Sequence, residues 1–214
     1  MNPSRSHRAF TLIELLVVLA VIAIFFAMAA PQITGVLGSS RLSSSGEFVY
    51  NKLSQAQQKA LTDSREIQVR FYRYADPTLP NSSEQFRALQ FVGWNDRGDV
   101  EELTEVFPLD SGMIFSRSAQ LSTMMTGLPT GSDSLRIPAL NAPASFVSFV
   151  FHSDGSTSLP SIAITDAGGT GAVDNNWYLT IVDEAREDIE GGTPKNFYCI
   201  QIDPDSGRLT AYRP

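Results

Sequence analysis

The sequence predicts an α+β protein, a long N-terminal helix followed by a β-rich head. Three observations carry this. Phe10 to Ala30 is a run of 21 residues with one charge, Glu14. Leu42, Val49, Leu53, Ala56 and Ala60 then recur at spacings of seven, four, three and four, which is one apolar stripe along a helix. Beyond residue 62, short apolar runs alternate with turn-forming Gly, Pro, Asn and Asp, the pattern of strands and hairpins. The expected division is a short basic stretch over 1–9, a helix over 10–62 whose part 10–30 is apolar enough to span a membrane, and a head over 63–214.

The chain has 214 residues, enough for one ordinary domain with a full core plus an extended element. Its net charge of −7 disfavours nonspecific attraction to nucleic acid or anionic lipid. Cys199 is the only cysteine, so no intrachain disulfide can form and packing alone must stabilise the head. A single free Cys is read first as a small buried apolar residue.

Three readings fit the N-terminal run. As a plain transmembrane helix, Phe10 to Ala30 reaches bilayer length. Arg5 and Arg8 precede it with no acid among them, which places the N-terminus in the cytoplasm and the head outside. As a secretory signal, the run offers Ala27-Met28-Ala29 as an A-x-A cleavage site, but it is long for that purpose and carries Glu14 inside it.

The third reading uses every residue. Arg8-Ala9-Phe10-Thr11-Leu12-Ile13-Glu14 resembles the processing site of type IV pilins and of the pseudopilins of type II secretion. The resemblance implies removal of a leader, Met1 to Ala9, on the cytoplasmic side by a prepilin peptidase. It implies N-methylation of the new terminus, Phe10, by the same enzyme. Glu14 then becomes the fifth residue, and Pro31 falls where family members carry a helix-bending proline. The departure is Ala9, where the family carries Gly, and slower cleavage is the expected consequence.

Glu14 needs a reason to be where it is. A carboxylate within a span costs roughly 2–3 kcal/mol at the bilayer centre and less near the interface. One reading is a side chain that snorkels to the headgroups. The other, implied by the resemblance, is a charge partner for the Phe10 amine of a neighbouring subunit. Such a pair is stronger in low dielectric and would fix the axial register of otherwise slippery apolar helices.

Pro31 lacks an N–H, so the helix is expected to kink there, with Gly35 and Gly38 adding weakness. The helical pattern resumes with Ser43 to Ser45 as N-cap candidates and Glu47 in the first turn. In the head, Ile67, Val69 and Phe71 alternate with Gln68, Arg70 and Tyr72 as a half-buried strand. Further strands are expected at Arg87–Trp94, Glu105–Leu109, Met113–Phe115, Phe146–Phe151 and Asn176–Val182, with a C-terminal hairpin of Phe197–Ile202 and Arg208–Arg213. Turns fall at Asn95–Gly98, Ser153–Ser156 and Asp203–Gly207. Ser116–Ser145, with a short helix near Ser118–Met125, and the Gly-rich Asp166–Asn175 read as loops and as places for partner contact.

The segments "VFPLDSGMIF", "FVFHSDGSTS" and "FYCIQIDPDSGRLTAYR" resemble heads of H-type minor pseudopilins and FimT-like minor pilins. The whole pattern is also similar to the pilin-like family called Verru_Chthon cassette protein D. The resemblance implies an antiparallel β-sheet or β-sandwich packed on the long helix. It covers the chain end to end but is strong only over Ala9 to Pro31. Many major pilins close a C-terminal disulfide loop; one cysteine cannot, which points to a minor subunit.

No catalytic constellation stands out. His152, Asp154 and Ser156 sit at alternate positions across a turn, without a nucleophile elbow. His7 would leave with the leader, so no His-based metal site is expected. Asp203 and Asp205 lack the glycine and acid spacing of a calcium loop. Gly168-Gly169-Thr170-Gly171 lacks the ending of a phosphate loop, and Arg97-Gly98-Asp99 is read as a turn. The expected protein is therefore a structural subunit, not an enzyme, with no cofactor.

Its expected partners are the prepilin peptidase, other pilin or pseudopilin subunits, an inner-membrane assembly platform and the lipid bilayer. Its expected place is the bacterial inner membrane as a single pass, then a periplasmic or surface filament. Two alternatives remain. One is a DNA-binding minor pilin of an uptake system, for which Arg208 and Arg213 are the candidate contacts. Loss of Arg5 and Arg8 would take the charge from −7 to −9, which weighs against it. The other is an anchored envelope protein outside any filament.

Overall fold

The computed structural model describes residues 11–78, 82–133, 143–160, 162–164, 172–174, 177–187, 194 and 196–214, with side chains for all of these except 27–37, 162–164, 172–174 and 186. The chain divides into two compact units, Met1–Ser40 and Arg41–Pro214. Helix α1, Leu12–Asp63, is a single element of 52 residues that begins in the first unit and ends in the second.

Within the second unit, Leu42, Val49, Leu53, Ala56 and Ala60 are all buried, so the apolar stripe read from the sequence is the face that meets the core. The expected N-cap at Ser43 to Ser45 is not one, because α1 runs straight through. Ser45 is instead a buried mid-helix residue whose hydroxyl donates to Asp110 Oδ2 at 2.8 Å. A short polar side chain is tolerated inside a helix when its hydroxyl finds such a partner. The helix ends in a Schellman-type turn. Ser64 adopts φ 49° and the Arg65 N–H bonds the Ala60 carbonyl at 3.2 Å.

The head is antiparallel. Strands β1 (Ile67–Ala75), β2 (Glu84–Trp94), β3 (Val100–Glu102), β4 (Phe107–Pro108) and β5 (Met113–Phe115) come first. Helix α2 (Thr123–Gly127) leads to β6 (Thr130–Asp133) and β7 (Ala144–Phe151). Then come β8 (Ile162–Ile164), β9 (Ala172–Asp174), β10 (Trp177–Asp183), the short α3 (Glu184–Glu187), β11 (Tyr198–Ile202) and β12 (Leu209–Tyr212). Ten strands join one sheet in the order β12-β11-β10-β5-β2-β1-β7-β6, with β3 and β4 also paired to β2. The pair Phe86↔Phe115 links its two halves, and β8 and β9 form a separate hairpin. The ladder of the main sheet is thus continuous from end to end.

Position in this sheet explains where β1 departs from expectation. It lies between β2 and β7, and its burial does not alternate: Phe71 and Tyr72 are both buried. Ile67, Val69 and Phe71 join the main core with α1, Phe115 and Phe149. On the opposite face Tyr72, Tyr74, Ala88, Ala144 and Phe146 make a second, smaller core. Arg70 seals that face, with its guanidinium 4.4 Å from the Phe146 ring centre and 2.5 Å from Asp133. Two covered faces remove the alternation that a half-exposed strand would show.

Other boundaries shift for local reasons. The strand expected over Glu105–Leu109 shrinks to β4, since Pro108 has no N–H for a ladder. Strand β3 exists because the Asn95 carboxamide oxygen accepts the N–H groups of Arg97 and Asp99 at 2.9 and 3.0 Å and folds the chain back on β2. The expected loop at 116–145 contains α2 and β6; residues 134–142 lie outside the described ones, as does most of the expected loop at 166–175.

Candidate functional site

The candidate site is the N-terminal segment. Arg5, Arg8, Ala9 and Phe10 lie outside the described residues. Thr11 is the first described residue, and Glu14 falls in the first turn of α1. These two residues bond reciprocally. Glu14 Oε2 accepts the Thr11 N–H at 2.9 Å and the Thr11 hydroxyl at 2.8 Å, and Thr11 Oγ1 accepts the Glu14 N–H at 3.3 Å. This is a capping box, in which two orphan donors of the helix start are satisfied together. The carboxylate thus has a structural task that neither sequence reading of Glu14 included. The signal was present, since a Thr three residues before a Glu at the head of an apolar run is the box's signature.

Beyond the box, the described large apolar side chains of the first unit are exposed, between 43% at Ile22 and 81% at Leu12. Among the described residues no helix is long and apolar enough to cross a membrane. Pro31 lies inside α1, and its side chain is outside the described ones, so the expected kink there is not described.

The residues considered for chemistry in the head serve turns. His152 Nδ1 meets Glu66 Oε1 at 2.9 Å. The Ser156 hydroxyl and N–H both donate to Asp154 Oδ1, at 2.7 and 2.9 Å. Those two bonds hold the Asp154 carboxyl below its ordinary range. His152, Asp154 and Ser156 therefore form no relay. Asp203 Oδ1 accepts the N–H groups of Asp205 and Ser206 at 3.0 and 3.2 Å, a proline turn closed by Gly207 at φ 65°. Among the described residues no group of three potential metal ligands occurs. Gly168 to Gly171 lie outside the described residues. Arg208 and Arg213 are exposed, but so are Asp203 and Asp205.

A cleft of about 540 Å³ opens beside β2, lined by Tyr74, Asp76, Arg87, Glu105, Asp110 and their neighbours. Arg87 is buried and held in a fork by Glu184, with Nη2 2.5 Å from Oε1 and Nη1 2.9 Å from Oε2. The partners are 97 residues apart, so no local pattern announces the pair.

Against known proteins, residues 4–30 match the family model described as the prokaryotic N-terminal methylation motif. No curated protein matches the chain. Among solved structures it is similar to the minor pseudopilin EpsH of the type II secretion system of Vibrio cholerae, at 14% identity over 82% of this chain and 96% of that one, with a TM-score of 0.45. It is also similar to the type IV minor pilin FimU of Pseudomonas aeruginosa, at 12% identity over 82% and 93%, with a TM-score of 0.44. The chain carries the methylation motif at its N-terminus, overlapping the start of α1, which precedes an antiparallel head.

Proposed function

We propose that this chain is a minor pilin- or pseudopilin-like subunit of a cell-envelope filament. The observation that carries the reading is the methylation motif over residues 4–30, with Glu14 fifth from Phe10. A prepilin peptidase removes Met1 to Ala9 and the Phe10 amine is methylated. Residues 10–30 anchor the precursor in the inner membrane, with the N-terminus cytoplasmic and the head outside. An assembly platform then moves the apolar helix from lipid into a bundle of like helices, where Glu14 sets register against a neighbour's terminal amine. The chain is a substrate and building block, not an enzyme. Its acidic balance of −7 weighs against a role in binding DNA.

Fractionation of the native cells tests this. The chain is expected in the sheared or periplasmic filament fraction when the peptidase is active, and only in the membrane fraction when it is deleted. An unchanged membrane location in both strains overturns the filament role.

A further inference from the structure

We propose that the cleft beside β2 receives a lysine or arginine side chain from an extended, basic segment of a partner protein. The charge of the cleft points that way. Asp76, Glu105 and Asp110 line it, and none of the three is ion-paired among the described residues. Arg87, the one cation in the described lining, is already neutralised by Glu184. Arg87 also attracts Asp76, but with Glu184 in its fork the recess keeps a surplus of negative charge, which raises the local concentration of cations.

The second observation is Tyr74. It is only 8% exposed, it lines the cleft, and its hydroxyl has no hydrogen-bond partner among the described residues. The oxygen is not sealed off but opens on the cleft, where it can bond a ligand. Burial also pushes its phenol up to about 12, so it stays a neutral donor and acceptor. Pro77, Val106, Leu109 and Met113 supply apolar wall for the methylene stem of a long basic side chain.

The surroundings favour a polypeptide over a free small cation. A depression of about 400 Å³ shares Glu105 and Val106 with the cleft, and another of about 250 Å³ shares Pro108 and Asp110. Together they make a run of recesses along residues 102–113. Strands β3 and β4, on the same stretch, pair with β2 alone among the described residues, which leaves their other edge without a ladder partner there. An extended segment would thus lie along the edge and send one basic side chain into the cleft. This inference is independent of how the N-terminus is processed.

The test uses the full chain in detergent and a blocked, fluorescent pentapeptide with one arginine flanked by two valines on each side, read by anisotropy. Binding is expected, and it should weaken about tenfold when citrulline replaces the arginine. Glu105→Gln with Asp110→Asn is expected to weaken it about as much, at exposed positions where the new amide at 110 still offers an oxygen to the buried Ser45 hydroxyl. Tyr74→Phe is expected to weaken it several-fold, and rising salt should weaken the wild type. Equal binding of the citrulline peptide, indifference to the carboxylate changes, no binding at millimolar peptide, or equal affinity for arginine amide alone would each overturn the proposal.

Discussion

A methyl group placed on Gly46 of α1 would stand 2.2 Å from Cγ of Tyr198 in β11. The helix and the C-terminal hairpin meet there with a tyrosine ring laid on bare backbone. Elsewhere in an exposed helix, Gly→Ala gains up to about 1 kcal/mol from propensity. Here the atoms that would have to move belong to the root of the ring, not to a flexible tip. Gly46→Ala is therefore expected to destabilise the head, by about 1–2 kcal/mol after the propensity gain. Thermal unfolding of the full chain checks the sign. In a Tyr198→Ala background the same change should cost less or become favourable, which isolates the contact.

The fork between Arg87 and Glu184 ties the start of β2 to α3. Arg87 is nearly fully buried, and its Nε finds no partner among the described residues. Glu184→Ala would leave a buried guanidinium without its counter-charge, at a cost of about 3 kcal/mol. Replacing both, as Arg87→Met with Glu184→Leu, is expected to restore much of that. Urea denaturation of the three variants tests it, and equal losses in the single and double variants would count against the pair.

Burial pushes the Tyr74 phenol up to about 12, against the pull of Arg87. The folded chain therefore holds this proton where the unfolded chain, near 10, has begun to lose it. The stability contribution is complete below about pH 10 and is lost as pH rises toward 12, with a slope of at most about 1.4 kcal/mol per pH unit. Burial also pushes the Tyr72 and Tyr198 phenols up, so tyrosinate absorbance should show several late-titrating groups, of which Tyr74→Phe removes one. An undiminished late titration in that variant would contradict the assignment to Tyr74.

These features were unequally legible in the sequence. The stripe Leu42, Val49, Leu53, Ala56 and Ala60 was, because helical burial repeats at a period that spacing reveals. Strand β5 and the C-terminal hairpin were bounded by strong turns and fell where expected. The half-buried reading of β1 failed because its outer face is covered by residues from β2 and β7 distant in sequence. The cap at Ser45 failed because a good cap residue also serves as a buried donor when an acceptor such as Asp110 arrives from across the fold. The cleft and the Arg87–Glu184 fork depend on pairings at long range, which no local pattern encodes.

The capping box separates two roles of Glu14. Glu14→Gln keeps a side chain able to close the box with Thr11 but loses the charge. Thr11→Ala keeps the charge but opens the box, at about 1 kcal/mol of helix stability. If register depends on a charge pair, Glu14→Gln should abolish entry into filaments while Thr11→Ala leaves most of it. Co-fractionation of each variant with filaments decides, and the reverse ranking would assign Glu14 to helix capping alone.

The most direct test is mass spectrometry of the N-terminus of the chain recovered from cells with an active prepilin peptidase. The expected product begins at Phe10 and carries one methyl group on its amine. A chain that begins at Ala30, or one that still begins at Met1, would contradict the proposed function.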